Sequence, residues 1–382
     1  MSFFGSRWVA TPEVDELDPA ELPPSFRAAG VACGLKGGGG TDLALLACDA
    51  DAVESALLLT RNAAAAAPIR VCRDECDAGA IRGAVVNSGN ANAATGEQGY
   101  RDAVAMRDAA AEALELDPRA LAVAETGVIG VPLAIDDVVR GIGEAAAAMD
   151  PRGGDGFAEA IMTTDRTPKR CAVRAAGITV SAQAKGAGMI EPGYATMLCF
   201  VQTDASIPDA DAALRAAVGT SFERITVDGQ MSTNDTVLLQ ASGEAGRELP
   251  DGLLDAILLQ LALEIVADGE GSTRVARVEV REAGSASEAE RVARAIANSP
   301  LVKTALYGRD PNWGRVAQAA GMALAGESLE ELGPDHIDAS ELGGDADEVE
   351  LSVRLGRGTY SAHVYTSDLT PEYIRINAEY TT

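Results

Sequence analysis

Lysine is the residue that this sequence uses least among its charged residues. Only four of the 31 basic residues are lysines, at positions 36, 169, 185 and 303, against 58 acidic residues and a formal net charge of −27. A surface this negative repels nucleic acid, and no basic stripe is present, so nucleic-acid binding is excluded. Carboxylates spread along a lysine-poor chain are typical of proteins that stay soluble in concentrated salt.

We therefore predict a halophilic protein. Because counter-ions screen the repulsion among the carboxylates, the thermal midpoint and the activity should both rise between near-zero and molar KCl. Thermal unfolding and activity across a KCl series measure this, and a flat response in both would contradict the prediction.

Histidines and long apolar runs are also scarce. His336 and His363 are the only histidines, which leaves few candidates for histidine-based catalysis. No apolar run reaches the roughly 18 residues of a membrane span. The N-terminal residues 1–8 lack the apolar core of a signal peptide, so a cytoplasmic location is expected. Among the six cysteines, Cys72 and Cys76 form the only close pair, and buried free thiols are favoured over a metal site.

The length and composition predict a folded protein with two lobes. The chain has 382 residues, of which 47% are hydrophobic, and this excludes disorder. Helix and strand patterns alternate with both hairpin-like and parallel-like connections, so a layered α+β fold is favoured over a doubly wound sheet. The acidic, proline-rich residues 1–25 are predicted to form an extended lead-in.

Local patterns place several elements within this fold. Alternation predicts a hairpin over 171–184 and a second hairpin that joins a strand at 349–355 to one at 360–364. Ser285 and Glu288 have the spacing of a capping box. Helices are predicted at about 102–116, 132–149, 208–218, 254–265 and 285–297.

The stretch from Lys185 to Asp204 carries a threonine at the junction of a turn and a buried strand. Pro192 and Gly193 favour a tight turn, and 197–201 is a continuous apolar run typical of a strand buried on both faces. Thr196 lies where the two meet, a position that would hold a nucleophile rigidly. A threonine at a strand start is more often structural, so this position alone decides nothing.

Polar, glycine-containing loops follow several of the buried strands. This arrangement is typical of a small-molecule site built from loops on a rigid frame. The loops lie at 87–92, 125–127, 185–196, 228–235 and 268–273.

A reactive Thr196 hydroxyl would need a base. No histidine is near it in sequence, and Lys185 is the nearest basic side chain. Cleavage of the chain before Thr196 offers another base, because the freed α-amine has a pKa of about 7.7–8.0 and can take a proton near neutrality. The sequence chemistry allows this cleavage without requiring it.

A resemblance to a known family bears on this choice. The segment KGAGMIEPGYATML at 185–198 resembles the self-cleavage segment of the ornithine acetyltransferase family, the N-acetyltransferases of arginine biosynthesis. Further blocks resemble that family in the same order, over roughly residues 26–382. They are VNSGNAN (86–92), TGEQG (95–99), AETGVIG (124–130), IMTTD (161–165), ITVDG (225–229), STNDT (232–236), DGEG (268–271), YGRDPNWGR (307–315) and RIN (375–377).

The resemblance implies self-cleavage between Ala195 and Thr196. The products would be an α chain of residues 1–195 and a β chain of residues 196–382 that begins with the nucleophile. The implied fold is an α/β/β/α layered sandwich similar to N-terminal-nucleophile enzymes, with a second, smaller α/β lobe and an α₂β₂ assembly. The implied reaction is a ping-pong transfer of acetyl from N-acetylornithine to glutamate on Thr196, without a metal or an obligatory cofactor. Acetyl-CoA is a possible alternative donor.

The resemblance also implies roles for other residues. Thr126 and Gly127 match the oxyanion hole of the family, a side-chain hydroxyl and a backbone N–H. Lys185 can bind a substrate carboxylate through its ammonium group, and Glu270 can bind a substrate amine through its carboxylate, so both roles are chemically reasonable. The implied substrate-binding residues are Thr163, Lys185, Thr196, Glu270, Asn377 and Thr382.

Some positions and functions stay open. Thr164 is an alternative to Thr163, because the segment that follows is shorter than in many relatives. Glu191 and the pair Gly193-Tyr194 depart from the usual pattern before the cleavage point and could alter the processing rate. Two other functions are weighed: a related self-cleaving amidohydrolase or aminopeptidase that uses water as acceptor, and an inactive metabolite-binding scaffold.

Overall fold

The computed structural model of the chain describes residues 2–191, 197–328 and 332–379. The strands in these ranges are β1 (Asp15–Glu16), β2 (Phe26–Val31), β3 (Leu43–Cys48), β4 (Glu54–Leu59), β5 (Gly83–Asn90), β6 (Leu121–Val128), β7 (Lys169–Ala175), β8 (Ile178–Lys185), β9 (Leu198–Thr203), β10 (Ile225–Thr226), β11 (Thr236–Ala241), β12 (Val275–Ala283), β13 (Ile337–Asp338), β14 (Glu348–Arg354) and β15 (Tyr360–Ser367). The α-helices are α1 (Ala67–Glu75), α2 (Gly96–Leu114), α3 (Ile135–Ala147), α4 (Gly154–Ala160), α5 (Ala210–Thr220), α6 (Leu253–Ala267), α7 (Ala286–Ala297), α8 (Pro300–Tyr307), α9 (Trp313–Ala323) and α10 (Pro371–Glu379).

Two sheets packed face to face form the larger lobe. One has the order β1-β7-β8-β9-β11-β4 and the other the order β2-β3-β5-β6. Along β9, Leu198 and Phe200 pack into the core shared with the four-stranded sheet, whereas Cys199 and Val201 pack into the core beneath α5 and α6. Helices α1, α2 and α3 pack on the four-stranded sheet. The layers therefore run helix, sheet, sheet, helix, which confirms the predicted α+β layered sandwich.

A smaller lobe contains the third sheet, with the order β10-β15-β12-β14-β13. The predicted hairpin between 349–355 and 360–364 is wrong, because β12 lies between β14 and β15 and pairs with both. The connection instead passes around the end of β12, where the backbone N–H groups of Arg357 and Gly358 donate to the carbonyl of Glu282. A Cβ on Gly358 would lie 2.5 Å from the carbonyl oxygen of Ala283, so glycine permits this close passage.

Other local predictions agree with the structure. The hairpin over 171–184 is β7 and β8, joined by Ala176 and Gly177 with φ of 50° and 80°, as a two-residue turn between twisted strands requires. The Ser285 side chain caps α7 by accepting from the N–H of Glu288. All six cysteines are free thiols. No helix among the described residues is long and apolar enough to cross a membrane.

Two sequence predictions need correction at their boundaries. Helix α2 begins at Gly96, six residues before the predicted start near 102, because its first turn contains two glycines that weaken the helical pattern. The N-terminal lead-in is not simply extended: β1 pairs with β7, and Phe4 and Val9 are buried in the core beneath α6. Burial of these side chains ties the segment to the fold.

Candidate functional site

One pocket of about 90 Å³ collects residues from distant parts of the sequence. It lies where β6 and β8 end, beside the loop before β11, the loop after α6 and helix α10. Of the residues implied by the family resemblance, the pocket contains Thr126, Gly127, Thr163, Lys185, Glu270 and Asn377. The remaining lining residues are Ala91, Ile129, Thr164, Gly188, Met189, Ser232, Thr233 and Asn234.

Three of the implied site residues lie outside the described ranges. These are Ala195 and Thr196, at the expected cleavage point, and Thr382 at the C-terminus. The predicted turn at 192–193 and Tyr194 also lie outside them. The described chain resumes at Met197, which is buried immediately before β9.

The end of β6 presents a hydroxyl followed by a glycine with an unusual backbone. Gly127 has φ of +133°, and a Cβ on it would lie 2.3 Å from the carbonyl carbon of Gly89 on β5. Only glycine fits this backbone and this spacing. Thr126 Oγ1 accepts a hydrogen bond from Lys185 Nζ at 3.2 Å. The hydroxyl hydrogen of Thr126 therefore stays free to donate, as an oxyanion site requires.

Lys185 is a buried cation at the wall of the pocket. Its Nζ donates to Thr163 Oγ1 at 2.7 Å as well as to Thr126. An ammonium has three donors, so one remains for a ligand. Burial lowers the pKa of Lys185 and the charge of Lys169 adds to this, whereas the charge of Asp165 partly offsets it.

A buried network of ion pairs and hydrogen bonds lies beside Lys185. Asp165 Oδ1 accepts from Lys169 Nζ and from the N–H of Gly186, both at 2.7 Å, and Lys169 Nζ also donates to Asp268 Oδ2 at 2.7 Å. Burial alone would raise the pKa of the Asp165 carboxyl, but the charges of Lys185 and Lys169 outweigh it and hold that pKa well below its usual value. The network fixes the segment that carries Lys185.

Glu270 is bound on both oxygens rather than solvated. Its Oε1 accepts from Thr164 Oγ1 at 2.8 Å, and its Oε2 accepts from Asn377 Nδ2 at 2.7 Å. Thr163 and Thr164 thus both line the pocket, with different partners: Thr163 contacts the cation and Thr164 the carboxylate. The contact with Glu270 also places Asn377, on α10, at the pocket.

Asn234 and Asp235, for which the sequence predicts no role, connect separate parts of the site. Asn234 Nδ2 donates to the carbonyl oxygens of Ala91 at 2.7 Å and Glu125 at 2.9 Å. Asp235 Oδ1 accepts from the N–H of Met197 at 3.1 Å. The available signal was the polar loop at 228–235, but the strands that it bridges cannot be identified from local patterns.

Glu191, which departs from the family pattern, has two partners on α7 and at its end. It lies 3.4 Å from Arg294 Nη1 and accepts from Asn298 Nδ2 at 3.0 Å. Its carboxylate is therefore paired within the fold. In the described ranges no group of three or more histidine, cysteine, aspartate or glutamate side chains is arranged to hold a metal ion.

Comparisons with known proteins identify the family of this chain. Residues 27–382 match the ArgJ family. An arginine biosynthesis bifunctional protein ArgJ from Symbiobacterium thermophilum is 44% identical over 94% of this chain and 98% of its own length. The protein of the same name from Thermus thermophilus is 43% identical over 94% and 99%. A crystal structure of ornithine acetyltransferase with ornithine, from Mycobacterium tuberculosis, is 37% identical over 48% of this chain and 99% of that one, with a TM-score of 0.45. With a family match over nearly its whole length and relatives this similar, the chain belongs to the ArgJ family.

Proposed function

We propose that the protein is an acetyltransferase of arginine biosynthesis, which moves acetyl from N2-acetyl-L-ornithine to L-glutamate through an ester on Thr196. The chain would first cleave itself between Ala195 and Thr196, so that the α-amine of Thr196 becomes the base. The observation that carries the proposal is the Lys185 ammonium, bonded to Thr126 and Thr163 in the pocket that also holds Glu270 and Asn377.

The proposed chemistry gives each of these groups one role. The α-amine takes the proton of Thr196 Oγ, which attacks the acetyl carbonyl, and the oxyanion forms beside the hydroxyl of Thr126 and the N–H of Gly127. When the carbon–nitrogen bond breaks, the proton passes to the amine of ornithine, which leaves. The amine of glutamate then attacks the ester carbonyl, the bond between the acetyl carbon and Thr196 Oγ breaks, and the α-amine passes the proton lost by glutamate to Thr196 Oγ, which regenerates the hydroxyl.

Both amino acids fit the charges of the pocket. Each has a carboxylate that the third donor of Lys185 can bind. Glu270, held by Thr164 and Asn377, provides an acceptor for the side-chain amine of ornithine. One site can therefore bind the donor and the acceptor in turn, as a ping-pong mechanism requires.

Several expectations from the family resemblance remain predictions. They are the contribution of Thr382 to substrate binding, the α₂β₂ assembly, the cytoplasmic location and the use of acetyl-CoA as an alternative donor. One assay tests the function: formation of N-acetylglutamate from glutamate with N-acetylornithine, and separately with acetyl-CoA, beside an SDS gel of the purified protein. Cleaved protein that forms N-acetylglutamate supports the proposal, whereas an uncut chain without transfer favours a binding scaffold.

Replacing Gly188 with alanine should weaken binding of ornithine-type substrates. A Cβ on Gly188 would lie 2.5 Å from Glu270 Oε1, so the carboxylate must move away from Thr164 and Asn377. We expect KM for N-acetylornithine to rise about tenfold, the effect of about 1.4 kcal/mol of lost binding, with a smaller change in kcat. Steady-state kinetics measure both constants. Gly314→Ala is the matched control, because its nearest neighbour would be Asn312 Oδ1 at 3.5 Å, an ordinary contact. Equal KM values in the two variants would contradict the prediction.

A further inference from the structure

Met189 combines an unusual backbone with a place in the wall of the pocket. Its φ of +57° lies in the left-handed region, which residues other than glycine rarely adopt. Of the eight described non-glycine residues with a positive φ, Met189 is the one that lines this pocket. Backbone strain of this kind is concentrated at functional sites, where the surrounding structure holds it in place. The conformation of Met189 therefore calls for an explanation from the site.

Hydrogen bonds fix the chain before and after Met189. Asp228 Oδ2 accepts from the N–H of Met189 at 2.6 Å, and Asp228 Oδ1 accepts from the N–H of Ile190 at 2.9 Å. Two residues before Met189, the carbonyl oxygen of Ala187 accepts from the N–H of Glu270 at 2.8 Å. The left-handed conformation is thus imposed by contacts on both sides of the residue, and one of them is with the loop that carries Glu270.

The side chains of Met189 and Ile190 have different surroundings. Ile190 is 0% exposed and belongs to the core beneath α5 and α6. Met189 is only partly buried and belongs to none of the hydrophobic clusters formed by the described residues. A large apolar side chain that lines a pocket without joining the core gains little for the stability of the fold. Its apolar surface is available to a ligand.

The pocket needs an apolar surface between its two charged groups. The side chain of ornithine has three methylenes, and its ends fit the proposed roles of Lys185 and Glu270. Ile129 and Met189 are the lining residues with large apolar side chains. Gly188 lies against Glu270, since a Cβ on Gly188 would be 2.5 Å from Glu270 Oε1. Met189 is therefore one residue away from the group that would bind the amine.

We propose that Met189 is a specificity-determining residue, whose side chain packs on the methylenes of ornithine and limits the length of the side chain that fits in front of Glu270. The inference rests on the proposed function, which supplies an ornithine-type donor. The thioether chain is flexible and polarizable, and so it suits contact with a methylene chain. The left-handed backbone, held by Asp228, then serves to keep this side chain in the pocket instead of the core.

Met189→Ala tests the contact with two acetyl donors, N2-acetyl-L-ornithine and N2-acetyl-L-lysine, whose side chain is one methylene longer. We expect KM for N-acetylornithine to rise about tenfold, with kcat changed less than about threefold. Because the shortened side chain leaves room for the extra methylene, the ratio of kcat/KM for the lysine donor to that for the ornithine donor should rise at least about fivefold. Met189→Leu keeps an apolar side chain of similar volume and should stay within about threefold of the wild type.

Met189→Gly tests whether the strain serves the site. Its matched control is Ala176→Gly in the turn between β7 and β8, because Ala176 has a similar φ of 50° but does not line the pocket. Glycine adopts the left-handed region freely, so the thermal midpoint of each variant should be equal to or above that of the wild type. Only Met189→Gly should show the raised KM for N-acetylornithine.

The outcomes separate this inference from the proposed function. If the wild type transfers acetyl from N-acetylornithine and Met189→Ala has the same KM and donor preference, the role of Met189 is overturned and the proposed function stands. A lower thermal midpoint of Met189→Gly, together with wild-type donor kinetics, shows a purely structural residue and also overturns the role. Absence of transfer from N-acetylornithine in the wild type overturns both.

Discussion

A Thr196→Ala variant should accumulate as an intact chain of 39.2 kDa that transfers no acetyl group. Alanine lacks the hydroxyl that would attack the preceding peptide bond, so no new chain start forms. It also lacks the oxygen that would carry the acetyl ester, and loss of such a nucleophile removes most of the rate enhancement of an acyl transferase. SDS gels, intact mass and N-acetylglutamate formation measure the three consequences.

Two further variants separate the hydroxyl from the rest of the side chain. Thr196→Ser keeps the nucleophile and should retain cleavage and part of the activity. Thr220→Ala removes the same atoms at the exposed end of α5, where Oγ1 donates to the carbonyl oxygen of Ala217, and should behave like the wild type. Substantial transfer by Thr196→Ala would overturn the ester mechanism.

An Asp165→Asn variant should lose about 3–5 kcal/mol of unfolding free energy, the usual effect of removing one partner of a buried ion pair. The Asp165 side chain is completely buried, and Lys169 is 2% exposed beside it. Without the carboxylate, Lys169 keeps Asp268 and the carbonyl oxygen of Thr167 as partners, and Lys185 loses the charge that most favours its protonated form. Chemical denaturation at neutral pH measures the loss.

The difference between wild type and Asp165→Asn should depend on pH. Since the pKa of Asp165 is lowered in the folded state, its stabilisation is fully present above the unfolded pKa of about 3.9 and is lost as the pH falls through the lower folded value. The difference in stability between the two proteins should therefore begin to shrink below about pH 4 and close only below the folded pKa of Asp165. Asp211→Asn is the control: its pair with Arg215 is about half exposed on both sides, and less than about 1 kcal/mol should be lost. Equal losses in the two variants would show that burial does not decide the effect.

The scarcity of lysine also bears on the interior of the protein. Lys169, Lys185 and Lys303 are all at most 5% exposed. Almost all of the basic residues are arginines, and these three lysines make contacts inside the protein. Because lysine is so rare in the sequence, an internal role for Lys185 could be suspected from composition alone. The partners could not be predicted: Asp268 lies 99 residues from Lys169 in sequence, and nothing local links them.

Local sequence patterns predicted individual helices and hairpins better than they predicted which distant strands pair in a sheet. The β7–β8 hairpin and the cap of α7 depend on neighbouring residues, so the sequence was sufficient for them. The pairing of β14 and β15 with β12 depends on a strand more than 60 residues upstream, at 275–283, where no strand was predicted. The pocket was expected from polar loops and family blocks, but the bridge from Asn234 to β5 and β6 required three-dimensional contacts.

Strands β8 and β9 lie on either side of the proposed cleavage point and are hydrogen-bonded neighbours in the centre of one sheet. Cutting the connection would leave both strands in place, because the ladder between them does not need the covalent link. Once unfolded, however, the two fragments become separate molecules that must meet again in solution. Renaturation of the cleaved protein would then be a bimolecular process that slows on dilution, whereas the intact precursor folds at a rate independent of its concentration.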